Sequence, residues 1–118
     1  MKHDSFIEQA MKEGAKSDLR HRHGAVIVHR GKIIARGHNK CDLLNYKVFN
    51  LHAEVAAIMD MKKNRDQPEF ATMYVIRLGS CGTKNSKPCV NCERSIIQSG
   101  IRRVYFSSTD SLDGNSGL

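Results

Sequence analysis

Apolar residues recur at three-to-four spacing near the start of the chain. Phe6/Ile7, Ala10/Met11 and Gly14/Ala15 fall on one face, and that period predicts an amphipathic helix over residues 4–19. Asp4 or Ser5 serves as its cap, with Glu8 in the first turn. The pattern then changes. Ala25-Val26-Ile27-Val28 and Ile33-Ile34-Ala35 are short apolar runs separated by Arg30-Gly31, which reads as a hairpin. Residues 40–50 are polar and read as irregular. From Leu51 the helical period returns, with Val55, Ile58, Met59 and Lys62 on one face and Asn50 as cap. Residues 71–76 give the strongest strand signal in the chain. Residues 77–87 are a Gly/Ser/Lys-rich loop. Pro88 suits the first position of a helix running to Gln98, with Gly100 just past its end. Val104-Tyr105-Phe106 is a further strand, and the polar residues 109–118 read as a loose tail.

The predicted order is α-β-β-α-β-α-β, without internal repeats. Strand–helix–strand connections of these lengths imply parallel pairing and right-handed crossovers. Helices must then cover the sheet faces. The fold class is α/β, a small sandwich around a mixed sheet of about four strands.

The length of 118 residues fits a single domain. A hydrophobic fraction of 40% and a charged fraction of 26% exclude disorder, collagen and coiled coil as whole-chain readings. No apolar run approaches the roughly 18 residues of a membrane span, and the start, MKHDSF, lacks a signal peptide's apolar stretch. The expectation is a soluble, cytoplasmic protein without a membrane partner. Net charge is +7, and the excess is uneven. Residues 12–40 carry eight Lys/Arg against Glu13 and Asp18. That segment suggests an anionic partner; the alternative is a solvated basic face.

Candidate chemistry sits at the starts of two predicted helices: His52-Ala53-Glu54 and Pro88-Cys89-Val90-Asn91-Cys92. A helix N-terminus favours thiolates, and a spacing of three puts both sulfurs on one side of the first turn. With His52 they make a His/Cys/Cys set suited to Zn²⁺, one per chain. Three protein ligands leave one position for water, as in catalytic rather than structural zinc sites. Glu54 would lie about 200° around a regular helix from His52, so it reaches the site only if the helix start is irregular or the side chain bends around. A carboxylate near zinc-bound water can take its proton and pass it to a leaving group. A redox CxxC would explain neither His52 nor Glu54. A structural zinc site closed by Cys41 or Cys81 is the other alternative.

This pattern, HxE followed by PCxxC, resembles the cytidine/deoxycytidylate deaminase superfamily. The resemblance extends to residues 23–28 at the first strand, to Gly37-His38-Asn39 at the exit of the second, and to residues 96–105. It covers about residues 5–108 and implies a deaminase-like domain over 1–108 with a three-layer α-β-α sandwich. By that resemblance His52, Cys89 and Cys92 hold zinc and Glu54 is the catalytic proton shuttle. Asn39 and the backbone at Ala53 position the substrate, with His38, Ser86 and Lys87 as further candidate contacts. The implied reaction is hydrolytic deamination of a cytosine nucleotide or nucleoside.

The chain departs from that pattern in two places. Residues 77–87 intervene before the Pro-Cys motif, where relatives often run almost directly into it. Only about ten residues follow the fourth strand, where relatives often continue with a helix and strand. The fold is therefore expected to be truncated at its C-terminus, with a fifth strand only if the tail pairs. An exposed edge would favour a homo-oligomer. The competing functions are base editing within single-stranded nucleic acid or tRNA, and a non-catalytic zinc-binding module.

Overall fold

The apolar run after Gly24 lacks polar alternation because both faces of its strand are covered. The structure, a computed structural model, describes residues 2–18, 22–44, 47–64, 70–78, 94, 96–107 and 112–115. Its elements are α1 (Lys2–Gly14), β1 (Arg22–His29), β2 (Lys32–His38), β3 (Lys40–Leu44), β4 (Lys47–Leu51), α2 (Ala53–Lys63), β5 (Ala71–Leu78), β6 (Ile101–Ser107) and β7 (Leu112–Asn115). On β1, Ala25 and Ile27 belong to one buried cluster and Val26 and Val28 to another. A strand buried on both faces is apolar throughout.

The main sheet has the order β2-β1-β5-β6-β7. Arg30 and Gly31 turn the chain with φ of 52° and 77°, the left-handed pair that a two-residue hairpin turn requires. His29 then faces Lys32 across the hairpin. β5 pairs antiparallel with β1, and β6 pairs parallel with β5. β2 and β5 therefore run parallel on either side of β1, as a crossover through α2 demands. The expected mixed α/β sheet is present. Residues 112–115, expected as loose tail, add a fifth strand antiparallel to β6.

Helices cover both faces. Phe6, Ile7 and Ala10 of α1 pack with Val26, Val28, Tyr74 and Ile76. Ala53, Ala57, Ile58 and Met61 of α2 pack with Ala25, Ile27, Met73 and Val75 on the other face. Ile96 joins that second cluster, with Arg94 and residues 96–98 helical. Gly100 follows with φ of 89°, the left-handed residue that ends a helix.

Three further elements differ from the sequence reading. α2 begins at Ala53 with His52 as its N-cap, not at Leu51 with Asn50 as cap, because residues 47–51 pair with β3 as β4. α1 starts at Lys2, so Asp4 and Ser5 lie inside it rather than capping it. α1 ends at Gly14 rather than at residue 19, because the helix meets β1 there backbone to backbone. A Cβ on Gly24 would stand 2.0 Å from the Ala10 carbonyl oxygen. Residues 40–50, read as irregular, are largely the hairpin β3–β4. Asp42 and Asn50 break the apolar alternation that would have marked these strands. Among the described residues, no helix is long and apolar enough to cross a membrane.

Candidate active site

The β3–β4 hairpin assembles the site. Lys40 pairs with Leu51, so Asn39 and His52 stand one residue beyond the last pair, at the hairpin's base. The chain turns from His52 into α2. His52 is the N-cap, extended with φ −73° and ψ 151°, and its carbonyl accepts the first helical hydrogen bond from Ala56 N–H (2.9 Å). Its imidazole makes no capping hydrogen bond. The regular-helix offset of about 200° therefore does not apply, since His52 lies outside the helix.

Glu54 is in the first turn of α2 and only 4% exposed. A carboxylate is favoured there by the helix dipole. Ala53 is fully buried because α2 starts hard against β2. A Cβ on Gly37 would lie 2.3 Å from Ala57 N and 2.7 Å from the Ala53 carbonyl oxygen. Gly37 thus sets how near the start of α2 comes to the exit of β2.

Asn39 is buried and fixed from β1. Its side-chain Oδ1 accepts from His23 N–H (2.8 Å), and its own N–H donates to the His23 carbonyl (3.2 Å). Both bonds tie Asn39, at the exit of β2, to the backbone of β1. His38 has a different task. Its Nδ1 donates to Glu13 Oε2 (2.7 Å), while Lys16 Nζ donates to Glu13 Oε1 (3.0 Å). Burial acts on the Glu13 carboxyl by raising its pKa. The hydrogen bonds from His38 and Lys16, with the Lys16 charge, outweigh that and hold it below its ordinary value of 4.5. Sequence reasoning missed Glu13, whose one signal was a carboxylate inside the most basic segment.

The structure therefore brings together Asn39, His52, Ala53 and Glu54, and ties His38 to α1. Cys89, Cys92, Ser86 and Lys87 lie outside the described residues. Among the described residues, no group of three His, Cys, Asp or Glu could hold a metal, since two of the three expected ligands are not among them. The donor types that are described still suit zinc: the imidazole of His52 and, two residues on, the buried carboxylate of Glu54.

A sequence profile of the family described as "Cytidine and deoxycytidylate deaminase zinc-binding region" matches residues 1–108. The chain belongs to this family. It is 32% identical over 93 residues to a tRNA-specific adenosine deaminase of Aquifex aeolicus, covering 77% of this chain and 54% of that protein. It is 36% identical over 59 residues to the deoxycytidylate deaminase of Enterobacteria phage T4, covering 50% of this chain and 26% of that one. The chain thus spans about half the length, or less, of these curated relatives. Its fold is similar to the crystal structure of dCMP deaminase from the cyanophage S-TIM5, with a TM-score of 0.71 and 26% identity. That match covers 91% of this chain and 83% of the other.

Proposed function

We propose that this chain is a zinc-dependent hydrolytic deaminase that converts a cytosine nucleotide or nucleoside, deoxycytidylate or cytidine, to its uracil form and releases ammonia. The observation that carries this is the buried Glu54 carboxylate at the start of α2, grouped with His52 and Asn39. His52, Cys89 and Cys92 would hold one zinc ion, which supplies a Lewis acid that makes water nucleophilic near neutral pH. Water adds to the ring carbon that bears the exocyclic amine, and the carbon–nitrogen bond to that amine breaks. Glu54 takes the proton released by water. It passes that proton to the ring nitrogen, then takes the proton of the added hydroxyl and passes it to the departing amine, so that ammonia leaves, a carbonyl remains and the carboxylate is restored. Burial keeps bulk water from competing for that proton. Asn39, fixed by His23, presents its amide to the nucleoside.

A second reading is deamination of a base within nucleic acid. It is supported by the likeness to a tRNA-specific adenosine deaminase over 77% of the chain. Action in the cytoplasm and self-association also belong to the proposal. β7 covers the edge of β6 and becomes the edge strand in its place, and an edge strand is what supports self-association.

The test is ammonia release from cytidine, CMP, dCMP, dCTP, cytosine and tRNA by zinc-loaded protein. Turnover of a cytosine monomer is expected. Conversion confined to tRNA would replace the first reading with the second.

A further inference from the structure

We propose that a groove along the outer edge of β2 binds the phosphate backbone of a single-stranded nucleic acid, apart from the Glu54 site. This goes beyond the deaminase reading and does not depend on it. The groove has a volume of about 390 Å³, within the range of ligand sites. Arg36 and Lys40 line it from β2 and the start of β3, and Ala56, Met59 and Lys63 line it from α2.

Charge selects the occupant. Glu13 and Asp60 also border the groove, but both are engaged within the fold. Glu13 is held by His38 and Lys16. Asp60 Oδ2 accepts Arg36 N–H (3.0 Å). The Arg36 guanidinium donates to the neutral Gln9 Oε1 (3.0 Å). Among the described residues, the ion pairs are Lys12–Glu8, Lys16–Glu13 and His38–Glu13, so Arg36, Lys40 and Lys63 are in none. Three exposed cations stand against the single charge of Asp60.

Spacing selects a chain of phosphates over one. Extended chain from Arg36 to Lys40 covers about 13 Å, and Lys63 adds a third cation from α2. One phosphate cannot serve cations spread over that length, whereas successive phosphates of a strand can. Met59, 54% exposed, adds an apolar strip with Ala56 for a sugar or base. The Asp60 carboxylate on Arg36 N–H also blocks the edge against an added β-strand, which disfavours a second copy of the chain as occupant.

The test is fluorescence anisotropy with a labelled oligouridylate of about 20 nucleotides, longer than a typical single-strand site. Uridine has no exocyclic amine, so binding is read independently of deamination. Affinity is expected to fall as salt rises. Arg36→Glu/Lys40→Glu/Lys63→Glu should weaken binding at least ~10-fold and flatten the salt slope by ~2, since each single-strand phosphate contact contributes ~0.7. Arg30→Glu/Lys32→Glu/Arg103→Glu, which removes the same charge elsewhere, should bind nearly as the native chain does. Lys40→Gln/Lys63→Gln gives the same reading at exposed positions should the triple variant fail to fold. Equal loss in both triple variants would overturn the proposal, as would native binding without salt dependence. Competition by uridine triphosphate as strong as by the oligomer would overturn it too, by showing a site for one nucleotide. None of these outcomes bears on ammonia release.

Discussion

Two buried carboxylates divide the work at the level of single residues. Glu54 and Glu13 are 4% and 5% exposed, yet only Glu54 stands at the start of α2 beside the proposed reaction. Removal of its proton transfer should cost ~10²–10⁴ in turnover. Glu54→Gln is therefore expected to retain zinc and fold, measured by metal content and circular dichroism, while ammonia release collapses. A Glu54→Gln protein with native turnover would remove Glu54 from the mechanism. Glu13 acts on stability. Its carboxyl lies below its ordinary value in the folded chain, so the unfolded chain binds the proton more readily. The stabilisation is full above about pH 4.5 and is lost as pH falls through the folded value. Glu13→Gln should cost ~1.5–3 kcal/mol at pH 7, the range for hydrogen bonds to a charged group. Urea melts at pH 7 and below pH 4 should show that deficit shrinking in acid; a constant deficit would mean a packing role alone.

Among the elements, close backbone contact decides where each helix sits. Gly24 brings α1 onto β1, and Gly37 brings α2 onto β2. Gly24→Ala and Gly37→Ala should each destabilise the fold by about 1–3 kcal/mol or more, as overpacking does. Their effects on the site should separate. Gly37→Ala pushes against Ala53 and Ala57 and so displaces His52 and Glu54. Gly24→Ala pushes against Ala10 and Gly14, away from them. Zinc affinity measured at a temperature where both variants are folded should fall for Gly37→Ala and hold for Gly24→Ala. The four main-sheet strands other than β7 were legible because β-branched runs and the Arg30-Gly31 turn are local signals. The helix α2 was legible by its period, though not its start, since residues 47–51 pair as β4. The β3–β4 hairpin was not, because Asp42 and Asn50 interrupt the apolar alternation that marks a strand. That hairpin is what carries His52 back to Asn39. The end of α1 was missed for a related reason, since a helix stopped by contact with a strand distant in sequence leaves little local trace.

For the whole molecule, the proposed zinc ion would tie distant segments together. His52 opens α2, whereas Cys89 and Cys92 follow β5, more than thirty residues later in the chain. A ligand that binds only the folded chain stabilises it by mass action, ~2.7 kcal/mol at a concentration ~100 times its Kd. For a domain of this size that corresponds to a rise of roughly 10 °C in Tm. Chelation should therefore lower Tm by about that amount. Differential scanning calorimetry before and after chelation, with zinc added back, measures it. The Cys41→Ser/Cys81→Ser variant should show the same drop and the same recovery, since neither thiol belongs to the three-ligand set. His52→Ala should have a reduced response to added zinc. If Cys41→Ser/Cys81→Ser abolished that response while His52→Ala kept it, the ion would occupy a closed structural site. The buried Glu54 carboxylate would then have no water to act on.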